Sequence, residues 1–294
     1  MTCANTPPMP IIVGSPRSGT TLLRLMIDAH PLVAIPPETG FLELGERLAE
    51  GTDSAAQNFL HNVTSYPEDA PNWGDFGLDS RLLREELLGQ DSFDLGNALR
   101  AFYRLYAARF GKSRWGEKTP MYCRHMATIE RLLPEAHFIH IVRDGRDAAL
   151  SLRERWFSPG HDISVQAQYW RDNVVAARTQ GRECRRFLEL RFEDLICDAQ
   201  KELRRICAFL EIEYCDGMLE YHLGAQRRLA EHGARVRVDG SVVVSREQRR
   251  DQQAQTCREP DCSRIGQWKR HLSPAEAAGF EEIAGDVLAQ YGYA

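Results

Sequence analysis

Apolar and glycine-rich stretches alternate over the first 35 residues of the chain. Residues 10–13 form a short apolar run that leads into the sequence GSPRSGTT. The next stretch, TLLRLMIDAHP, has apolar residues at positions 22, 23, 25, 26 and 29, a spacing that predicts a helix ended by Pro31. Residues 32–35 predict a second strand. This order predicts a βαβ unit with parallel strands and a right-handed crossover.

Three later segments predict the other strands. Residues 137–142 (HFIHIV) have the strongest strand pattern, and residues 114–117 and 187–191 predict shorter strands. Four further segments have the apolar spacing of helices: 123–133, 145–156, 199–210 and 274–291. No internal repeat is present. The pattern predicts one α/β domain over residues 1–294, a P-loop-like three-layer fold with a central parallel sheet flanked by helices.

Two segments depart from this regular alternation. Residues 41–112 are predicted to be a largely helical insertion on the acceptor side, with a break at 51–80 that is a candidate mobile loop. Residues 217–264 contain nine arginines and seven acidic residues with little periodicity. This second segment is predicted to be either a solvated surface region or a lid over a bound nucleotide.

Composition limits the classes of partner. A net charge of -5 over 294 residues argues against a general polyanion-binding surface, so we expect no nucleic acid partner and a local basic pocket instead. Because no run of about 18 apolar residues occurs, we expect no membrane span. The N-terminal residues lack the pattern of a signal peptide, and none of the eight cysteines are spaced CxxC. These features predict a cytoplasmic protein with reduced thiols.

The stretch GSPRSGTT, residues 14–21, has the GxxxxG frame of a phosphate-binding loop between a strand and a helix. Thr20 stands where nucleotide triphosphatases have a lysine. Arg17 can supply a positive charge instead, and Ser18, Thr20 and Thr21 can supply hydroxyl donors. After the 137–142 strand the chain places Arg143 rather than a magnesium-binding carboxylate. The loop therefore predicts an anionic ligand that binds without a metal.

Topology predicts that these groups meet. Ligands of open α/β sheets bind at the carboxyl ends of the strands. The loop follows the first predicted strand, Glu38 follows the second, Lys118 ends the GEK segment at 116–118, and Arg143 follows the 137–142 strand. We therefore expect the four to converge on one crevice.

Two motifs resemble those of sulfotransferases that use 3′-phosphoadenosine 5′-phosphosulfate (PAPS). GSPRSGTTLLRLMIDAHP is similar to the family's 5′-phosphosulfate loop, and FIHIVRDGRDAALSL, residues 138–152, is similar to its 3′-phosphate motif. The resemblance continues through GEKTP, RFEDL and IGQWKRHL. Because HPLVAIPPETG resembles the stretch with the catalytic glutamate, the pattern is most similar to the tyrosylprotein and related bacterial branch.

The resemblance implies a role for individual residues. Glu38 matches the general base, while Lys118 and Arg17 would neutralise charge on the transferred and leaving oxygens. The residues matched to the 5′-phosphosulfate are Ser15, Arg17, Ser18, Gly19, Thr20 and Thr21. The 3′-phosphate would be held by Arg143 and Ser151, and the adenine by Phe192. Because Gln267 replaces the lysine that precedes the late tryptophan in that branch, the candidates for the final anion contact are Arg258, Arg264 and Lys269.

The expected function is sulfuryl transfer from PAPS, without a required metal, to a hydroxyl of a small-molecule acceptor. His125, close after Lys118, is the alternative base. Two other functions stay open at this stage: a P-loop small-molecule kinase, which would require magnesium and ATP, and a catalytically silent nucleotide-binding module. The sequence does not indicate an oligomeric state.

Overall fold

A central four-stranded parallel sheet organises the protein, whose structure, a computed structural model, describes residues 6–51 and 54–293. The strands are β1 Met9–Val13, β2 Val33–Ala34, β3 Arg114–Trp115, β4 Glu117–Lys118, β5 Ala136–Val142, β6 Phe187–Arg191, β7 Arg235–Val236 and β8 Val242–Val244. The α-helices are α1 Thr20–Asp28, α2 Ala55–Ser65, α3 Ser80–Leu88, α4 Leu95–Ala108, α5 Met126–Leu132, α6 Gly145–Leu152, α7 Ile163–Gly181, α8 Phe192–Cys197, α9 Ala199–Phe209, α10 Tyr221–Leu229, α11 Arg246–Gln253, α12 Trp268–His271 and α13 Pro274–Gln290. Within these described ranges, no helix has the length and apolarity needed to cross a membrane.

The sheet has the order β4-β1-β5-β6, and every neighbouring pair is parallel. Strands β1 and β5 are buried along their whole length, with Ile11 opposite Phe138 and Ile12 opposite Ile139. Apolar residues on both faces of a strand are typical of a parallel sheet covered by helices on each side. The predicted α/β fold with a central parallel sheet is confirmed.

The predicted βαβ unit differs in one respect from the simplest arrangement. Strand β2 pairs with β3, not with β1, while β4 pairs with β1. Strands β3 and β4 are separated only by Gly116, whose N–H donates to the carbonyl of Ala34. A Cβ at Gly116 would lie 2.8 Å from the carbonyl oxygen of Pro10, so the glycine permits this close approach. The 114–118 segment therefore lies between the two strands of the unit.

The 41–112 segment is mostly helical, as predicted, but the predicted break at 51–80 is wrong for its first part. Helix α2 occupies Ala55–Ser65, and its first turn is capped by the Ser54 hydroxyl, which accepts from the N–H of Gln57. The irregular part is residues 66–79, interrupted by a 3₁₀ turn at Trp73–Phe76. The helices enclose an aromatic core in which Phe102 packs edge-on against Phe41 and Phe76.

The arginine-rich 217–264 segment contains more regular structure than its sequence indicates. It forms α10, the β7–β8 hairpin and α11. Ion pairs to distant parts of the chain anchor it: Arg228 binds Asp28 at 2.7 Å, and Arg249 binds Asp75 at 2.8 Å. Its role as a lid stays a prediction.

Candidate functional site

A cavity of about 480 Å³ lies where the carboxyl ends of β1, β4 and β5 meet. Its lining comes from several regions: the 14–21 loop, the residues after β2, residues 66–72, the end of β4, Arg143, the residues from Ser151 on α6 to Phe157, Tyr169 on α7, α8, and the segment from α10 to residue 264. The charged side chains predicted to converge, Arg17, Glu38, Lys118 and Arg143, all line it. The topological prediction is therefore confirmed for these four residues.

The loop leads directly into α1. Gly19 precedes the helix with a φ of 98°, and a Cβ there would collide with the ring of Phe192. Gly19, Thr20 and Thr21 line the cavity at the N-terminal end of α1, where the helix dipole favours an anion. The structure thus places the hydroxyls of Thr20 and Thr21 and the backbone of Gly19 where the sequence predicted phosphate contacts.

Two predicted loop contacts do not face the cavity. Ser15 and Ser18 are almost fully buried, and neither lines the cavity. The N–H of Ser18 donates to the carbonyl of Ser15, closing a tight turn, and the Ser18 hydroxyl has no hydrogen-bond partner among the described residues. Contact of these two residues with a bound ligand therefore stays a prediction.

Arg17 crosses the cavity from the loop. Its Nε donates to Ser151 Oγ at 3.0 Å and its guanidinium donates to the carbonyl of Gln252 at 3.2 Å. Burial, together with the charges of Arg155 and Arg143, lowers the pKa of Arg17 to about 10. The side chain stays cationic at neutral pH and is surrounded by further positive charge, an environment that favours an anionic ligand.

Glu38 and Lys118 form an ion pair in the cavity. The Lys118 side chain is almost fully buried and also lies 3.3 Å from Thr21 Oγ1, whereas 49% of the Glu38 side chain is exposed to the cavity. Burial lowers the pKa of Lys118, and Glu38 opposes this shift. Burial would raise the pKa of Glu38, but the charge and hydrogen bond of Lys118 outweigh it and hold the pKa below its usual value. Glu38 is therefore ionised at neutral pH.

Arg143 is at the end of β5 with few close partners. Its guanidinium lies 4.7 Å from the centre of the Phe192 ring and 3.8 Å from Asp147, and its Nε has no hydrogen-bond partner among the described residues. Ser151 and Phe192 line the same part of the cavity, as do Arg258 and Arg264. The predicted 3′-phosphate and adenine residues are thus brought together.

Several lining residues were not identified from the sequence. Arg235 and Arg249 face the cavity from the 217–264 segment, and both lie near Asp75. Their positive charges also lower the pKa of Glu38. His232 lines the cavity nearby, and burial, with the charge of Arg249, lowers its pKa well below the usual value. The high arginine content of residues 217–264 was the sequence signal for these cavity residues. The position of the segment, however, depends on ion pairs with residues far away in the chain.

Apolar and aromatic side chains also line the cavity. Trp156 and Phe157 are 51% and 39% exposed and pack edge-on with ring centres 5.3 Å apart. Met121, Tyr66 and Tyr169 line the cavity as well. His125, the alternative base, does not line the cavity, so the structure argues against that assignment.

Comparisons with known proteins agree with this geometry. Residues 8–216 match the sequence profile of the sulfotransferase family. A putative protein-tyrosine sulfotransferase of Caenorhabditis briggsae is 28% identical over 225 residues, covering 72% of this chain and 69% of that protein. The protein-tyrosine sulfotransferase of Drosophila melanogaster is 27% identical over 222 residues, 73% of this chain and 40% of that protein. Nodulation protein NoeE of Sinorhizobium fredii is 29% identical over 157 residues, 52% of this chain and 33% of that protein.

Solved structures show the same fold. The sulfotransferase domain from the curacin biosynthetic pathway has a TM-score of 0.59 at 21% identity, covering 97% of this chain and 98% of that chain. The sulfotransferase domain of the Synechococcus PCC 7002 olefin synthase has a TM-score of 0.58 at 21% identity, with 97% and 96% covered.

Proposed function

The chain belongs to the sulfotransferase family and is a PAPS-dependent enzyme, and on this basis we propose that it sulfates a hydroxyl of a small-molecule acceptor with Glu38 as the general base. The observation that carries the proposal is the ion pair of Glu38 with Lys118 beside the phosphate loop. It places a carboxylate and an ammonium group together at the edge of the sheet where the donor is expected.

The donor side of the cavity fits a nucleotide with two anionic ends. PAPS supplies a sulfuryl group attached through oxygen to its 5′-phosphate. Arg17 and the N-terminal end of α1 are suited to the 5′-phosphosulfate. The Nε of Arg143, which has no hydrogen-bond partner within residues 6–51 and 54–293, is suited to the 3′-phosphate. Phe192, beneath the Arg143 guanidinium, offers a flat apolar face to the adenine. Arg258 and Arg264 are proposed to complete the anion contacts.

The proposed chemistry assigns a proton transfer to Glu38 and charge stabilisation to Lys118. The acceptor oxygen forms a bond to sulfur, the bond between sulfur and the 5′-phosphate oxygen breaks, and Glu38 takes the hydroxyl proton. Lys118 and Arg17 stabilise the negative charge on the leaving phosphate. The lowered pKa of Glu38 keeps the carboxylate ionised before the acceptor arrives.

The apolar and aromatic side chains of the cavity lining favour a small-molecule acceptor with an apolar or aromatic body. Trp156 and Phe157 offer exposed ring surface to the same cavity that Glu38 lines. Rings of this kind contribute most of the contact area in small-molecule sites. A protein tyrosine is the second candidate, because the relatives named above are protein-tyrosine sulfotransferases. The cytoplasmic location stays a prediction.

The first experiment is a PAPS-dependent screen of acceptor pools, including phenols, aliphatic alcohols and tyrosine peptides, read as the mass gain of one SO₃ group. With the best acceptor, Glu38→Gln should lower turnover by about 10² to 10⁴. Affinity for the product 3′-phosphoadenosine 5′-phosphate (PAP) should stay unchanged. Glu43→Gln is the matched control, since Glu43 lines the cavity without contacting Lys118.

The outcomes separate the alternatives. If Glu38→Gln and Glu43→Gln reduce turnover equally, Glu38 is not the general base. Transfer to tyrosine peptides with no transfer to small molecules would contradict the small-molecule acceptor. An absence of transferred sulfate from every pool, with intact PAP binding, would favour a silent nucleotide-binding module.

A further inference from the structure

A buried carboxylate lies directly behind the Glu38–Lys118 pair. Glu117 immediately precedes Lys118 and has 0% of its surface exposed. Its two carboxylate oxygens accept three hydroxyl hydrogen bonds: from Thr119 at 2.9 Å, from Thr39 at 3.0 Å and from Tyr103 at 2.7 Å. Glu117 does not line the cavity, so it does not contact a bound substrate directly.

Two of these hydroxyls come from the residues next to the proposed reactive groups. Thr39 follows Glu38 in the chain, and Thr119 follows Lys118. The N–H of Gly40 also donates to Thr119 Oγ1 at 3.3 Å. A single carboxylate therefore connects the backbone segment that carries the base to the segment that carries the lysine, although the two are 80 residues apart in sequence.

Other contacts fix this connection from outside. The hydroxyl of Tyr122 shares a hydrogen bond with Thr39 Oγ1 at 2.6 Å and accepts from the N–H of Leu42. The side-chain amide of Asn72 donates to the carbonyls of Glu38 and Thr39 at 2.9 and 3.0 Å. The base segment is thus held on both sides.

Packing alone does not account for a carboxyl group at this position. Burial raises the pKa of Glu117 to about 7, and the hydrogen bonds from Tyr103, Thr119 and Thr39 only partly offset that effect. An apolar side chain of similar size would avoid the cost of burying a charge. Departures of this kind from good packing are expected where a residue supports a functional site.

We propose that Glu117 is a positioning residue that sets the distance between the Glu38 carboxylate and the Lys118 ammonium group. Its two threonine contacts hold the segments of these residues in register. The inference rests on the proposed roles of Glu38 and Lys118 in sulfuryl transfer.

The test uses three variants of the full chain and one control. Glu117→Gln changes the carboxylate, Thr39→Val removes one connecting hydroxyl at constant size, and Thr39→Ser retains that hydroxyl. Tyr106→Phe is the control, because Tyr106 is equally buried on α4 and its hydroxyl donates to another carboxylate, that of Glu231, at 2.9 Å. All four changes are compared for melting temperature, PAP affinity, kcat and acceptor KM.

We expect kcat to fall by about 10- to 100-fold in Glu117→Gln and Thr39→Val, because small displacements of reacting groups have effects of this size. PAP affinity should not change. Thr39→Ser should restore kcat, and Tyr106→Phe should lower the melting temperature without lowering kcat. If Glu117→Gln does not fold, the comparison of Thr39→Val with Thr39→Ser and with the Tyr106→Phe control still tests the proposal. Unchanged kcat in Thr39→Val, or an equal loss in Tyr106→Phe, would overturn the proposal.

A second readout does not depend on sulfate transfer. This readout is the pKa of the Glu38 carboxyl, which NMR titration can follow. Burial would raise this pKa, but the charge and hydrogen bond of Lys118 hold it below its usual value. Loosening the pair in Thr39→Val should move this pKa upward, with no shift in Tyr106→Phe. Arg235 and Arg249, which also lower it, are unchanged in both variants. An unmoved pKa would refute the positioning role even if no acceptor is found, so the two proposals fail separately.

Discussion

Replacing Arg143 with alanine tests the donor site most directly. Among the residues that the structure describes, its guanidinium makes only long polar contacts: 3.4 Å to the carbonyl of Arg17, 3.5 Å to the carbonyl of Arg264 and 3.8 Å to Asp147. Good hydrogen bonds of this type are about 2.7 to 3.2 Å long. Arg143 would therefore lose only weak hydrogen bonds when its guanidinium binds a 3′-phosphate.

The magnitude follows from one such contact. A hydrogen bond to a charged group contributes about 1.5 to 3 kcal/mol, and a tenfold change in affinity corresponds to about 1.4 kcal/mol. Arg143→Ala should therefore weaken PAP binding by about 10- to 150-fold.

Isothermal calorimetry with PAP provides the measurement, and the melting temperature shows whether each variant is folded. Arg153→Ala is the matched control: it removes the same charge ten residues later, but Arg153 is paired with Glu276 at 3.1 Å and does not line the cavity. We expect its PAP affinity to change by less than about threefold, as for a partly exposed charge away from the ligand. A folded Arg143→Ala protein with wild-type PAP affinity would remove Arg143 from the donor site.

Two further predictions concern metal and pH. PAP should bind equally well in EDTA, because the ligand contacts proposed here are arginine and loop donors; binding that needs magnesium, or ATP binding as tight as that of PAP, would favour a kinase. The second prediction concerns stability: burial raises the pKa of Glu117 from its usual value of 4.5 to about 7. The stabilisation that the protonated Glu117 gives to the folded protein is therefore complete below pH 4.5 and is lost as the pH rises through 7. Relative to Glu117→Gln, the wild-type free energy of unfolding should fall by up to about 3 kcal/mol over this range. Chemical denaturation at several pH values measures the difference, and a pH-independent difference would contradict the raised pKa.

The convergence of the reactive groups could be predicted because it depends on strand direction rather than on strand order. Glu38 and Arg143 each follow a strand and Lys118 is the last residue of one, and parallel strands end at the same edge of a sheet. The predicted groups therefore still meet in one cavity, although β2 pairs with β3 rather than with β1. The break at 51–80 was mispredicted because a helix with a good cap formed where the sequence is rich in polar residues.

The remaining parts of the site depend on contacts between distant residues. Arg249 reaches the cavity because Asp75, 174 positions earlier in the chain, binds it. Ser15 and Ser18 were predicted from the loop motif, but both are buried and lie outside the cavity lining, which the motif does not indicate. The burial of Glu117 follows from a network of side chains on separate elements, which no periodic pattern encodes.

Local pairing also explains how a chain with a net charge of -5 forms a cationic site. Around the cavity, Lys118 pairs with Glu38, and Arg249 pairs with Asp75. Arg17 differs, since within residues 6–51 and 54–293 its hydrogen bonds go to the neutral Ser151 hydroxyl and the Gln252 carbonyl. Among these residues Arg17 therefore has no direct ion pair. Burial and the charges of Arg155 and Arg143 lower its pKa, and the charge of Glu38 offsets this only in part. A bound anion would relieve this repulsion, so the local excess of positive charge, not the total charge of the protein, favours the 5′-phosphosulfate at this point.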